Sequence, residues 1–243
     1  MSELLVGSTV IPYRIRSSER AGRKRIVVTP EGVEVITPSG TPLEGPDGVQ
    51  AYVQTKRRWV FDAVREIETK HRKLLTQRYA SGAKLQYRGR WLMLQLEPRD
   101  VAAVTIRCRS KFEVDVPERL SGMERLEAVR SAFDSWLRAR AERDLSRFAR
   151  RHQKRLDVQP RGARLSDQKH SWGSCGKDRV IRVNWRLVQA PAAAMEYVVA
   201  HELTHLRHRN HSPEFWATLA STMPDWAERK AMLERWEVDH RAV

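Results

Sequence analysis

The chain has 243 residues, with 45 Lys and Arg against 30 Asp and Glu, for a net charge of +15. Its length allows one large domain or two smaller lobes with a real core, and no run of roughly eighteen apolar residues offers a membrane span. Its two cysteines, Cys108 and Cys175, exclude a disulfide framework or a thiolate zinc knuckle. A reducing, cytoplasmic setting is the default expectation, and Met1 to Arg20 lack the uninterrupted apolar centre of a secretory signal. The charge favours polyanionic or acidic partners, DNA among them. The basic residues are spread, however, with dense stretches at Arg14–Arg25, Lys56–Arg58, Lys70–Arg78 and Arg138–Arg155. Solvated helix faces explain such stretches equally well.

The first segments read as short strands. Tyr13–Arg16 alternates, and Arg25–Val28 and Val33–Ile36 flank a Pro30-Glu31-Gly32 hairpin turn. A Pro- and Gly-rich loop, Pro38–Gly48, precedes helical periodicity from Val49 to about Leu75. Leu85–Tyr87, Trp91–Leu96, Val101–Ile106 and Phe112–Val116 are further strand candidates. Pro117 marks a change of character. From Gly122 to about Arg155 the spacing predicts one long charged helix, with Leu126, Val129, Phe133, Trp136, Leu137, Leu145 and Phe148 on its buried stripe. Arg164–Ser166 and Val180–Leu187 read as strands. Three helices follow, the last two around Phe215–Thr222 and Ala227–Trp236. The expected class is α+β: a β-rich amino-terminal lobe with one helix, residues 1–117, and a mixed lobe, residues 118–243.

The helix opened by Pro191 carries His201-Glu202-Leu203-Thr204-His205, of the form H-E-x-x-H. At about 100° per residue, His205 lies about 40° and Glu202 about 100° around the axis from His201. All three side chains share one sector. Two neutral imidazoles at that spacing suit Zn²⁺, and the carboxylate between them reaches a metal-activated water without being a ligand. His211 supplies a third nitrogen if the chain reverses after His205. Three protein ligands with one open position describe a catalytic zinc, not a structural one. Asn210 can make that reversal in a left-handed conformation, and Ser212-Pro213 restarts a helix as N-cap and first residue. Phe215 and Trp216 then pack it on the motif helix. Glu214, Glu228, Glu234 and Glu237 compete with His211 as third ligand, and His208 takes a structural or surface role.

Ile181–Leu187 alternates cleanly, which makes it the expected sheet edge above the metal, able to bind an extended peptide by strand addition. An ordinary amphipathic strand reads the same way. Gly173 lets backbone approach something closely, and Cys175 reads as a small buried hydrophobe.

Trp172-Gly173-Ser174-Cys175, Asn184-Trp185-Arg186-Leu187, His201–Leu206 and Asn210-His211-Ser212-Pro213 with Phe215-Trp216 resemble the YgjP-like family of metal-dependent hydrolases, related to SprT-like zinc metallopeptidases. Tyr13–Arg16 and Lys24–Pro30 resemble the family's opening hairpin. The resemblance implies a zincin-like lobe, with an active-site helix under a small antiparallel sheet. It also implies that His201, His205 and His211 bind zinc and that Glu202 is the general base. One departure stands out: Ser171 occupies the place of an arginine the family usually carries, with Lys169 and His170 upstream.

The expected activity is zinc-dependent hydrolysis of peptide bonds in a protein or peptide substrate. His170, Trp172, Asn184, Arg186 and the Trp172–Cys175 backbone are candidates for oxyanion or substrate binding. Two other readings stay open. One is a DNA-associated protease acting on nucleic-acid-bound proteins, which the charge and the SprT-like kinship suggest. The other is a non-proteolytic zinc-containing subunit of a DNA-handling complex, against which the intact Glu202 speaks.

Overall fold

Alternating apolar residues build the amino-terminal sheet. The computed structural model describes residues 2–168 and 170–241. Its first strands are β1 (Ser2–Val6), β2 (Thr9–Ser17), β3 (Arg25–Thr29) and β4 (Gly32–Thr37), in the order β1-β2-β4-β3. β3 and β4 form the expected hairpin, while β2 runs parallel to β4. Leu4, Ile11, Tyr13, Val33 and Val35 turn to one side, where Val49, Val53 and Val60 cover them. Those valines sit on two helices, α1 (Val49–Thr55) and α2 (Arg57–Arg78). The single helix expected there is broken at Lys56, whose N–H bonds back to Val53 O at 3.1 Å in a tighter turn.

The chain divides into two units, Met1–Gln77 and Arg78–Val243. The division falls upstream of Pro117, where composition alone had placed it. The reason lies in the aromatic packing of the second sheet. That sheet comprises β5 (Lys84–Tyr87), β6 (Arg90–Arg99), β7 (Thr105–Cys108) and β8 (Phe112–Pro117), in the order β5-β6-β8-β7. Tyr87 of β5 and Phe112 of β8 meet Phe133 and Trp136 of the long helix α3 (Gly122–Leu156) at ring separations of 4.9 to 5.6 Å. These strands thus share their buried surface with α3. Arg88 adds a bond to the buried Asp144 carboxylate at 2.8 Å.

The remaining elements surround the motif helix. β9 (Gly162–Ser166), β10 (Gly173–Cys175) and β11 (Val180–Asn184) form a three-stranded sheet ordered β10-β11-β9. β10 runs antiparallel to β11 and β9 parallel to it, so this sheet is mixed, not antiparallel. β11 lies in the middle with partners on both sides, which corrects its expected place at the edge. Its backbone groups are already paired, and β10 holds the edge instead. The alternation from Ile181 to Leu187 is also shorter as a strand than it reads. Asn184 Oδ1 accepts from Arg186 N at 3.0 Å and turns Trp185–Gln189 into a 3₁₀ segment that keeps Trp185 and Leu187 buried.

That 3₁₀ segment leads through Pro191 into α4 (Ala192–Thr204), followed by α5 (Pro213–Thr222) and α6 (Trp226–Arg241). The turn between β5 and β6 docks here, with Arg88 N and Gly89 N donating to Val188 O and Gln189 O. Gly89 has a φ of +74°, and a Cβ there would lie 2.9 Å from the Pro191 ring. α4 is buried nearly throughout. Glu196 on its far side accepts from Arg151, His152 and Arg229 at 2.7, 3.0 and 2.7 Å, tying α4 to α3 and α6.

Candidate metal centre

The last turn of α4 presents His201 and His205 on one side, as their spacing requires. Their Nε2 atoms lie 3.2 Å apart. The chain then reverses through tight turns, with Leu206 N bonding to Leu203 O and Arg207 N to Thr204 O, both at 3.0 Å. Asn210 makes no left-handed turn; among the described residues, positive φ outside glycine occurs at Arg88, Asp157 and Arg179. Consecutive backbone bonds to α4 carbonyls do the work expected of it. Ser212 and Pro213 open α5 as N-cap and first residue, and His211 arrives with its Nε2 3.0 Å from that of His201.

Phe215 supports this assembly from below. It is fully buried, and its ring lies 4.9, 4.8 and 4.8 Å from the rings of His201, His205 and His211. Trp216 stacks on His211 at 5.6 Å. His208 plays a structural part: its carbonyl accepts from His205 Nδ1 at 3.0 Å, and its ring meets Thr218 Oγ1 at 2.9 Å. Among the described residues, the metal-compatible cluster is His201, His205 and His211. Glu214, Glu228, Glu234 and Glu237 are not part of it.

The donor set fits a divalent cation of the zinc type. Tetrahedral ligands at about 2.0–2.1 Å from zinc stand about 3.3 Å apart, close to the separations of the Nε2 atoms from His201. His205 spends its Nδ1 proton on a carbonyl, which leaves Nε2 as a lone-pair donor. Burial, then the neighbouring His205 and His211, hold His201 down to a pKa of about 3. Burial also lowers His205. Both rings are therefore neutral near pH 7, the form that binds metal.

Glu202 lies beside the trio and is 6% exposed. Burial raises its pKa to about 7. A Cβ on Gly173 would stand 2.6 Å from Glu202 Oε1 and 2.8 Å from a Val198 methyl. The close approach anticipated at Gly173 is therefore between β10 and this carboxylate. A cleft of about 310 Å³ opens above, walled by Gly173–Cys175, the three histidines, Glu202 and Arg209.

The YgjP-like family, described as a metallopeptidase domain, matches residues 23–236. The chain belongs to the YgjP-like metallopeptidase family. Its histidine cluster is compatible with the metal ion that such a family implies. The chain is also similar to a solved structure, the metallopeptidase zymogen of Pyrococcus abyssi abylysin, at 21% identity. That alignment covers 39% of this chain and 93% of the other, with a TM-score of 0.35. No curated protein matches the chain.

His170, Trp172, Asn184 and Arg186, singled out in this YgjP-like sequence, are not among the residues that wall the cleft. His170 is exposed, and Lys169 lies outside the described residues. Trp172 packs its ring 5.2 Å from Trp236, and its carbonyl accepts from Asn184 N at 2.8 Å. Asn184 is buried and spends its amide on Gln168 O at 2.7 Å. Arg186 pairs with Asp167 and stacks over Trp185 at 4.7 Å. Arg138 joins the same carboxylate at 2.8 Å, and the two guanidinium groups hold Asp167 down to about 2. Ser171 donates to Gly173 O, bracing the start of β10. Cys175 lines the cleft half-buried, with its thiol pushed up chiefly by burial, which disfavours the thiolate a nucleophile needs. Arg209 was not anticipated. It resembles any loop arginine in a basic chain until the fold places it over β10.

Proposed function

We propose that this chain is a zinc-dependent metallopeptidase in which His201, His205 and His211 hold the ion and Glu202 is the general base. The observation that carries the reading is the convergence of three Nε2 atoms next to one buried carboxylate of raised pKa. A divalent ion bound there supplies Lewis acidity and a nucleophile usable at neutral pH. The chain's own groups do the rest. Glu202 Oε1 takes the proton of the attacking water and returns it to the leaving amine. Before any cation is bound, burial raises its proton affinity, the direction that favours a base working near neutral pH.

The free edge of β10 supports an extended peptide lying across the cleft, because its outer backbone groups have no strand partner in the sheet. The outward-facing backbone N–H groups of Gly173 and Cys175 are the donors we assign to a developing oxyanion. Two free thiols support a reducing compartment, and no helix among the described residues is long and apolar enough to cross a membrane. Purified protein should contain zinc and cleave casein, and Glu202→Gln should keep the metal while losing turnover. Full activity in that variant would remove Glu202 from the mechanism.

A second reading has its own observation. Arg20, Arg23 and Arg25 line an open cavity of about 510 Å³ in the first unit, and no carboxylate pairs with them among the described residues. Free guanidinium groups around a cavity suit phosphate, so nucleic-acid-bound proteins are candidate substrates. Binding to duplex DNA that weakens steeply with salt, together with proteolysis stimulated by DNA, supports this reading. Absence of binding at low salt removes it.

A further inference from the structure

We propose that Arg209 makes the cleft selective for peptides that carry a carboxylate within about three residues of the scissile bond. The inference rests on the peptidase reading and names its substrate class.

β10 sets the scale. Its Gly173 end packs against Glu202, and its other end runs through Cys175 to Gly176. Extended chain rises about 3.3 Å per residue, so the Gly176 end stands about 10 Å, or three residues, from the reacting carboxylate. Arg209 is held at that end, where its Nη1 donates to Gly176 O at 3.2 Å. The group is exposed and forms part of the cleft wall.

A guanidinium carries five N–H donors in a planar fork that matches a carboxylate. One bond to a neutral carbonyl fixes the position of this one and leaves most of the fork open. Among the described residues, no carboxylate pairs with Arg209. The nearest acid in the sequence beyond β10, Asp178, is engaged by Arg182 and by Val180 N. Lys177 and Arg179 add positive charge to the same turn. An Asp or Glu side chain, or the free carboxyl-terminus of a short peptide, supplies the partner this end of the cleft lacks. A Lys or Arg there meets like charge.

The test uses zinc-supplemented full-length protein and two randomised peptide libraries, one N-acetylated and C-amidated, the other with free C-termini. Cleavage sites are read by mass spectrometry for wild type, Arg209→Gln and Arg209→Glu. Wild type should favour Asp or Glu over Asn or Gln at one position near the bond by about fivefold, the scale of a solvent-exposed charge pair. Arg209→Gln, which removes the charge, should lose that preference. Arg209→Glu should turn it toward Lys and Arg. Enrichment seen only in the free-acid library assigns the carboxylate to the peptide terminus. A carboxylate preference that survives in Arg209→Glu, or a wild type that favours neither acidic side chains nor sites near a free C-terminus, overturns the proposal. If wild type cleaves neither library, the peptidase reading fails separately. Binding to zinc-loaded Glu202→Gln then decides the matter: an Asp-containing peptide should bind more tightly than its Asn counterpart, and equal binding refutes a role for Arg209.

Discussion

Gly173 and Glu202 are packed so closely that a single methyl group on the glycine would stand 2.6 Å from the carboxylate oxygen and 2.8 Å from its Cγ. The edge strand and the candidate base are therefore positioned by each other. Gly173→Ala should push Glu202 or β10 out of place. A displacement of about 1 Å at a reacting group costs on the order of a hundredfold in rate, and overpacking costs about 1–3 kcal/mol in stability. Zinc content measured alongside kcat separates the two effects, because the atoms nearest the added methyl belong to Glu202 and Val198 and not to the histidines. Unchanged kcat would show that the strand yields freely.

Phe215 touches all three histidine rings from the buried side. Phe215→Ala should cost about 3–5 kcal/mol, as core Phe truncations do, and should weaken zinc binding by about ten- to a hundredfold through loss of ring orientation. Thermal melts and a competitive chelator titration measure both. His211→Ala should abolish stoichiometric zinc outright, whereas His208→Ala should retain it, because the bond from His205 goes to the His208 backbone carbonyl and not to its ring.

Glu202 gives the metal-free protein a pH dependence of known sign. Its pKa in the fold, about 7, lies above its ordinary value of 4.5 because burial disfavours the charge. The folded state therefore binds this proton more tightly than the unfolded chain does. Its contribution is fully present below about pH 4.5, falls as pH rises to about 7, and is flat above. The loss is of the order of 3 kcal/mol at about 1.4 kcal/mol per decade of proton affinity. His201 acts in the opposite direction, since its lowered pKa removes stability as pH falls from about 6.5 toward 3. Comparing melts of metal-free wild type with Glu202→Gln isolates the glutamate. Parallel curves between pH 4.5 and 7 would contradict the assignment.

Glu196 sits on the side of α4 away from the cleft and receives bonds from Arg151, His152 and Arg229. Removing one partner from a buried ionic group leaves the others uncompensated, which costs about 3–5 kcal/mol. Glu196→Ala should therefore lower the melting temperature markedly while the folded fraction still binds zinc with one ion per chain. Loss of zinc without loss of stability would instead link this cluster directly to the metal site.

What the sequence determined by itself was local. The four-residue spacing of His201 and His205 on a helix begun at Pro191, and the Ser212-Pro213 restart that returns His211, depend on helix periodicity and capping alone. The tertiary structure brings these three rings together as that spacing requires. Most strands of both larger sheets were also legible, because alternation over several residues is a short-range signal, but β1 was not anticipated and β7 begins at Thr105, not Val101. Tertiary structure decided which strand borders the cleft. β10 is three residues long, too short to show a period, and β11 reads as an edge until its hydrogen bonds to both β9 and β10 place it in the centre. Distant partners also decided the use of the polar residues. Asp167 and Gln168 engage Arg186 and Asn184 away from the cleft, whereas Arg209, which carries no motif, is carried to its wall by the fold. Periodicity records which way a side chain faces, but hydrogen-bond partners and packing neighbours far along the chain fix what it meets.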